Sequence, residues 1–394
     1  MILKNKDRLS KDILIRGRSL PIMRTLLVPA DKESAKRLDD LEGVGGIYPL
    51  DQKLGIDKAP FKATYKMVAE IAWEGISCRS YKEAAKRLSE KNRFDICHTQ
   101  VKRVTDYVGK LVFSDDCRQA EEAKNVDTSK IDKRKARKDT IYVQFDGSFY
   151  QENIENGPGC EWKECKIGII FKDSDLYHWA NGTEVKHKDI VGYIGKAEDF
   201  KYHLKAALIR NGFYQCRTRI FITDGAKWIL PFLQKNFPDC QYILDKYHAK
   251  ENAGEFASAV KRSPKQRKAL TDSLFQMIDD GDIDGILDVL EPYKDFKRQG
   301  VVNFYEYVSR LGSCMHYNEY EEKDWMVGSG NIESCHRYTM QDRMKRPGQH
   351  WNRQNGQGIL SLKCRKESNH WDEVVELIRQ DYIRRRASKT SSKE

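Results

Sequence analysis

The run Ile141-Tyr142-Val143-Gln144-Phe145-Asp146-Gly147 decides how the rest of the chain is read. Its β-branched and aromatic residues favour a pleated strand. The two-residue period puts Ile141, Val143 and Phe145 on one face and Tyr142, Gln144 and Asp146 on the other. The strand therefore ends by presenting a carboxylate, with a glycine behind it. Arg219-Ile220-Phe221-Ile222-Thr223 repeats the design and leads to Asp224-Gly225. A third acid, Glu333, stands in Gly328-Ser329-Gly330-Asn331-Ile332-Glu333-Ser334, which reads as a turn entering a helix. Singly, such Asp-Gly pairs are ordinary turn formers. Three acids delivered in this order by separate elements point instead to a shared cation site.

The 394 residues suffice for one large core or two to three smaller ones. Lys+Arg 70 against Asp+Glu 59 gives a net charge of +11, which suits an acidic partner without by itself specifying nucleic acid. No apolar run approaches the roughly 18 residues of a membrane span, and Met1-Ile2-Leu3-Lys4-Asn5-Lys6-Asp7 lacks the apolar segment of a leader. The expected setting is the cytoplasm. The ten cysteines form no Cys-x-x-Cys pair, the nearest spacing being Cys160 and Cys165, so reduced thiols are expected rather than a zinc or disulfide framework.

Residues 1–59 read as an irregular basic region. From 60 to 124 the pattern is helical. Met67, Ile71 and Ala72 recur at helical spacing, and Ser80 with Glu83 forms a capping-box signature ahead of a helix over 81–89. Thr99 is placed to cap a second helix with Val101, Val104 and Val108 inward and Lys102 and Arg103 outward. Two helices joined by a short turn, the second bearing cations, fit a helix-turn-helix that binds DNA; any antiparallel helix pair fits equally well. A charged linker follows at 125–139.

Strands are predicted at 141–146, 166–171, 176–180, 219–223 and 241–245, with helices at 189–210 and 226–237, making a mixed α/β sheet flanked by helices. The core's first part spans 140–248. An all-helical insertion is predicted at 249–324, the core's C-terminal part with the Glu333 helix at 325–375, and a basic, disordered tail at 376–394.

Phosphodiester chemistry explains why acids are collected in this way. Two divalent ions about 3.5–4 Å apart can activate the attacking oxygen and stabilise the leaving one, and hard cations take oxygen ligands. Asp146 bridges both ions in this reading, Asp224 ligates from the neighbouring strand end, and Glu333 closes the second site. Asp245-Lys246-Tyr247-His248 follows the next strand. Asp245 reads as an N-cap and His248 as a half-buried imidazole, or both stand beside the metal centre. Glu333 and His336 have the spacing of di-iron helices but lack the second such pair. Arg337, Arg343, Lys345, Arg346, Trp351 and Arg353 follow, a mixture of cations and an aromatic suited to a DNA backbone and a displaced base, or to a solvated basic helix end.

These motifs, with Thr223-Asp224-Gly225-Ala226-Lys227-Trp228-Ile229, Ile243-Leu244-Asp245-Lys246-Tyr247-His248-Ala249-Lys250 and Arg343-Met344-Lys345-Arg346-Pro347-Gly348, resemble those of bacterial insertion-sequence transposases of the ISKra and ISLre groups, a Mutator-like branch of the DDE transposases. The likeness runs from about residue 47 to 371. It implies a ribonuclease-H-like core, a helix-turn-helix, and a DDE triad of Asp146, Asp224 and Glu333 as catalytic and metal-holding acids, with Asp245 and His248 as an associated pair. It also implies Mg²⁺ (or Mn²⁺), two ions per active site, and DNA partners, both terminal inverted repeats and target. The expected assembly is a homodimer on DNA in a bacterial, nucleoid-associated setting. The implied activity is strand cleavage followed by strand transfer. The alternatives are a metal-dependent ribonuclease-H-like nuclease that cuts without joining, and an inactive DNA-binding regulator derived from a transposase. The paired cysteines that many relatives carry near the N-terminus have no counterpart before Cys78, so the N-terminal region reads as shortened.

Overall fold

A computed structural model describes residues 2–42, 46–54, 56–57, 62–131, 137–155, 157–179, 182–298 and 300–387. The chain opens on an antiparallel hairpin of β1 (Leu3–Ile15) and β2 (Arg18–Pro29), turned at Gly17 with φ +86°. Helices α1 (Lys32–Glu42) and α2 (Pro49–Leu54) follow. The N-terminal region is thus regular structure, not irregular. Residues Lys4 to Ser10 are exposed along the ribbon, so no alternation of apolar and polar residues marks the strand in the sequence. Only toward the turn does it acquire an inside: Ile13 is buried, and Arg24 pairs with Asp51 of α2 at 2.7 Å.

Next come α3 (Tyr65–Ser77), α4 (Tyr81–Asn92) and α5 (His98–Lys124). Ser80 caps α4 by accepting from the Glu83 N–H at 3.1 Å, while the Glu83 carboxylate accepts from the Arg79 N–H instead of that of Ser80. Met67, Ile71, Ala72, Ala84, Leu88, Val101, Val104 and Val108 are all buried, and Lys102 and Arg103 face outward. The helix carrying these cations has 27 residues.

A five-stranded sheet is built from β3 (Arg137–Asn153), β4 (Cys160–Lys172), β7 (Asp189–Tyr193), β8 (Cys216–Thr223) and β9 (Gln241–Leu244), in the order β7-β4-β3-β8-β9. Strands β5 (Leu176–Trp179) and β6 (Gly182–Val185) form a separate hairpin. β4 and β7 are antiparallel; β3, β8 and β9 run parallel. Two expectations are corrected here. The segment 176–180 is not the sheet's third strand, and the helix predicted over 189–210 divides into strand β7 and helix α6 (Ala197–Arg210). Ile190, Val191 and Tyr193 favour a strand, and Ile190 pairs with Ile169. Asp189 then ties the two elements by accepting from Arg210 Nε and Nη2 and from Asn211 Nδ2, at 2.6–2.9 Å. With α7 (Ile229–Asn236), α6 covers one sheet face around an aromatic core. There Phe145 lies about 6 Å from the rings of Phe200, Phe221 and Phe232.

Helices α8 (Lys246–Val260), α9 (Pro264–Asp280), α10 (Ile283–Leu290), α11 (Phe304–Leu311) and α12 (Tyr317–Glu322) make the expected helical segment. The helix predicted from Ser329 to Met344 is instead α13 (Gly330–His336), a π-helical turn (Arg337–Gln341) and the short α14 (Asp342–Met344). After α15 (Arg353–Glu367), α16 (Trp371–Ala387) runs through most of the expected tail, so Arg384 to Arg386 are helical rather than disordered. Its Val374, Ile378 and Tyr382 are buried, which gives that segment a reason to fold. Residues 388–394 and the linker residues 132–136 lie outside the described residues.

Two units divide the chain. One comprises 1–119, 150–163 and 338–394, the other 120–149 and 164–337. Residues from 338 onward therefore group with the N-terminal helices, whereas the expected core ran to 375. Within the first unit α5 and α15 cross at Gly109 and Gly358, where a Cβ on Gly109 would lie 2.9 Å from the Gly358 backbone.

Candidate active site

All the residues of the candidate site belong to the second unit. In the parallel pair β3·β8, Val143 stands opposite Phe221 and Gln144 opposite Ile222. Continued two residues past Gln144–Ile222, the same register carries Asp146 toward Asp224, on strands about 4.8 Å apart; Asp224 follows the C-terminal end of β8, whereas β3 runs on to Asn153 instead of ending at Asp146 as expected. Val143, Phe145 and Phe221 fill the aromatic core on one side, so Tyr142, Gln144 and Asp146 use the other. Each aspartate also engages the backbone just after it. Asp146 Oδ1 accepts from the Gly147 N–H at 2.6 Å, and Asp224 Oδ1 from the Ala226 N–H at 3.0 Å. Gly225, at φ +79°, has no room for a side chain, because a Cβ would lie 2.6 Å from Leu311 Cδ1. Helix α11 fixes this turn further: the Tyr307 hydroxyl donates to the Asp224 carbonyl and Arg310 Nη2 to that of Gly225.

Glu333 reaches the site through contacts spanning most of the unit. The fully buried Gln144 donates from Nε2 to the Gly328 carbonyl at 3.1 Å and accepts at Oε1 from the Ile332 N–H at 3.2 Å. Tyr142, one step back on the same face, accepts from the Met326 N–H at 3.3 Å. Asp245, 1% exposed, uses both carboxylate oxygens on backbone. Oδ1 accepts from the His248 N–H at 2.7 Å, capping α8, and Oδ2 accepts from the Ser329 N–H. Asp245 is thus a positioning residue that joins the start of α8 to the turn before Glu333. The N-cap alternative left open by the sequence describes it, with a second bond that spacing alone does not reveal.

Charge in the site is concentrated on one sign. The Asp146 carboxyl is pushed up to about 6 by burial and then by the facing Asp224, with Glu333 adding to it and His248 and the Gly147 N–H opposing. The two imidazoles each meet a different acid. His248 Nε2 lies 3.5 Å from Glu333 Oε1, with Nδ1 3.3 Å from Glu251, and the buried His336 Nε2 lies 3.5 Å from Asp146 Oδ2. Among the described residues no three His, Cys, Asp or Glu side chains close around a single ion as they stand. Glu333, 53% exposed, is directed to His248. By residue type the three acids are hard oxygen donors for Mg²⁺ or Mn²⁺, and crowded like charges on a half-buried aspartate are what a cation relieves.

The cations expected to meet DNA fall into three groups. In the first unit Lys102, Arg103 and Arg353 are exposed, Lys102 paired with Asp106 and Arg353 Nε 3.8 Å from Glu152. In the second unit Arg337 is exposed. Lys345 and Arg346 are half-buried, with Arg346 Nε donating to the Asp342 carbonyl. Arg343 and Trp351 correct the expectation. Arg343 is 2% exposed, its guanidinium 4.5 Å from the Tyr81 ring and 4.9 Å from that of Trp351, with Nε donating to the Gly75 carbonyl. Trp351 is also buried, and its indole N–H donates to the Met344 carbonyl. A basic run with an aromatic in it reads alike whether it faces solvent or folds into a cation–π stack.

Gln144 and His336 are the residues sequence reasoning undervalued. A glutamine amid β-branched and aromatic neighbours, in phase with Asp146, is the signal that marks the first. Nothing local marks the second. No family model matches this chain, and no curated protein matches it.

Proposed function

We propose that this chain is the DNA transposase of an insertion sequence: it binds the element's terminal inverted repeats, cuts a phosphodiester at each end and joins the freed 3′-hydroxyl to target DNA. One observation supports the reading most: the parallel register of β3 and β8, continued two residues past Gln144–Ile222, brings Asp146 toward Asp224, whose charge acts on it, on the sheet face where Gln144 holds the turn before Glu333. The strand order, with the first sheet strand central, the mutually antiparallel β4 and β7 on one side and the parallel β8 and β9 on the other, supports a ribonuclease-H-like core. Helices α4 and α5, with Lys102 and Arg103 outward, support a helix-turn-helix that reads the repeats.

In this reading Asp146, Asp224 and Glu333 hold Mg²⁺ or Mn²⁺. When bound, the ions supply an activated water or hydroxyl and neutralise charge on the leaving oxygen. The chain's own residues do the rest. Tyr307 and Arg310 fix the turn after Asp224, Asp245 fixes the turn before Glu333, and His248 and His336 each steady one acid. Acting on two element ends calls for a homodimer on DNA.

Precut repeat ends incubated with a target plasmid and Mn²⁺ test the reading. Joined products from the wild type and none from Asp146→Asn, with DNA binding retained, support it. Cutting without joining favours the nuclease instead, and equal joining by the variant removes the site assignment.

A further inference from the structure

The Gln144 side chain sits at a point where no backbone needs it, yet it is fully buried and bridges residues 184 and 188 positions away. We propose that Gln144 is the positioning residue for Glu333, an internal latch that sets the third acid against Asp146; this rests on the cation-holding reading of the three carboxylates. The two backbone groups it engages are four residues apart, the C=O of Gly328 and the N–H of Ile332. In a regular helix these would bond to each other. Gln144 inserts its amide between them, donating to one and accepting from the other, while the Ile332 N–H also reaches the Ser329 carbonyl at 2.9 Å. The first turn of α13 is therefore closed by a side chain from the central strand. That ties the helix's starting point to the strand that carries Asp146.

The chemistry of the position is narrow. A primary amide offers a donor and an acceptor side by side, and asparagine is one methylene too short to span the same gap. Gly328 and Gly330 bring no side chain that could substitute. The Met326 and Ser329 N–H groups are held by Tyr142 and Asp245, although Gln144 Nε2 also reaches the Met326 sulfur at 3.6 Å. Loss of Gln144 accordingly leaves the segment attached while freeing the entry to α13 and, with it, the placement of Glu333.

The test uses the full chain with Gln144→Met, which keeps length and loses both bonds, and Gln144→Asn, which keeps the groups and loses reach. Mn²⁺ affinity is measured by electron paramagnetic resonance and by the cation-induced rise in Tm, alongside kcat and KM for strand transfer and circular dichroism of the metal-free chain. Both variants are expected to bind Mn²⁺ roughly 10- to 100-fold more weakly, as when an outer-shell partner of a metal site is removed, with kcat reduced and KM for DNA unchanged. Wild-type Mn²⁺ affinity and kcat in both variants overturn the proposal. Should both variants lose their fold, hydrogen exchange on the wild type decides. An Ile332 amide exchanging as fast as an open loop overturns the latch; protection of Ile332 together with the Gln144 side-chain amide protons upholds it, and protection of Ile332 alone, which the Ser329 carbonyl supplies, overturns it. If the wild type binds Mn²⁺ no better than Asp146→Asn does, the cation reading itself fails, and the latch is still judged by Ile332 and Gln144 exchange.

Discussion

Buried charge is handled in opposite ways in the two units. In the first, Arg365 is 5% exposed and meets Asp116 at 2.7 Å, Asp115 at 3.1 Å and Glu373, while Arg343 lies between two aromatic rings. Each cation there has partners that neutralise or stack on it. In the second unit burial, and after it the charges of Asp224 and Glu333, push the Asp146 carboxyl upward, and the groups that oppose them do not prevail. Matched charge fixes helices to one another; unmatched charge marks a place prepared for something the chain does not itself supply.

The largest expected break in that contrast is Asp146→Asn. Strand transfer should fall by about 10⁴-fold, the scale on which one member of a cooperating catalytic set is lost, with the fold intact by circular dichroism. Arg365→Met should act the other way, destabilising the chain by about 3–5 kcal/mol because three acids lose their cation, seen as a lower Tm with unchanged Mn²⁺ affinity. Gly109→Ala forces backbone apart from backbone at the α5–α15 crossing and should cost about 1–3 kcal/mol, again read by Tm. Gly147→Ala meets only the movable end of Glu164 and should cost less.

The smallest effect sharpens the comparison through pH. Asp146 has its carboxyl raised from the ordinary 3.8 to about 6, so the folded chain holds that proton more tightly than the unfolded chain does. Its contribution is intact below about pH 4 and lost as pH rises through about 6. With the side chain a third exposed, the penalty above pH 6 is about 1 kcal/mol. In EDTA, Asp146→Asn should therefore match wild-type Tm near pH 4 and exceed it by a few degrees at pH 8. Excess Mn²⁺ should reverse the order at pH 8.

Legibility in the sequence followed how locally each feature is determined. β3, β8, β9 and the packing faces of α3, α4 and α5 were visible because burial imposes a period that the residues themselves display. The N-terminal hairpin was not, since a ribbon exposed along Lys4 to Ser10 displays no such period. β7 was merged into a helix because a five-residue strand abutting an amphipathic helix leaves little to separate them. Asp224 was legible as a residue at a strand end, whereas Asp146 lies inside β3, which runs on to Asn153; the alternative roles of Asp245 included the one it plays. What could not be read was the use of Gln144, of the second Asp245 oxygen and of the Arg343–Trp351 stack. Each depends on a partner more than 70 positions away or on a ring turned inward.

The bond from Ile332 to Gln144 closes a loop of 188 positions. During synthesis, the strand bearing the first acid leaves the ribosome long before the segment that completes the cluster. Interrupted translation products that stop between residues 224 and 333 therefore carry both aspartates without Glu333. On the proposed reading, a DNA-cutting activity is thereby withheld until nearly all of the chain has been made.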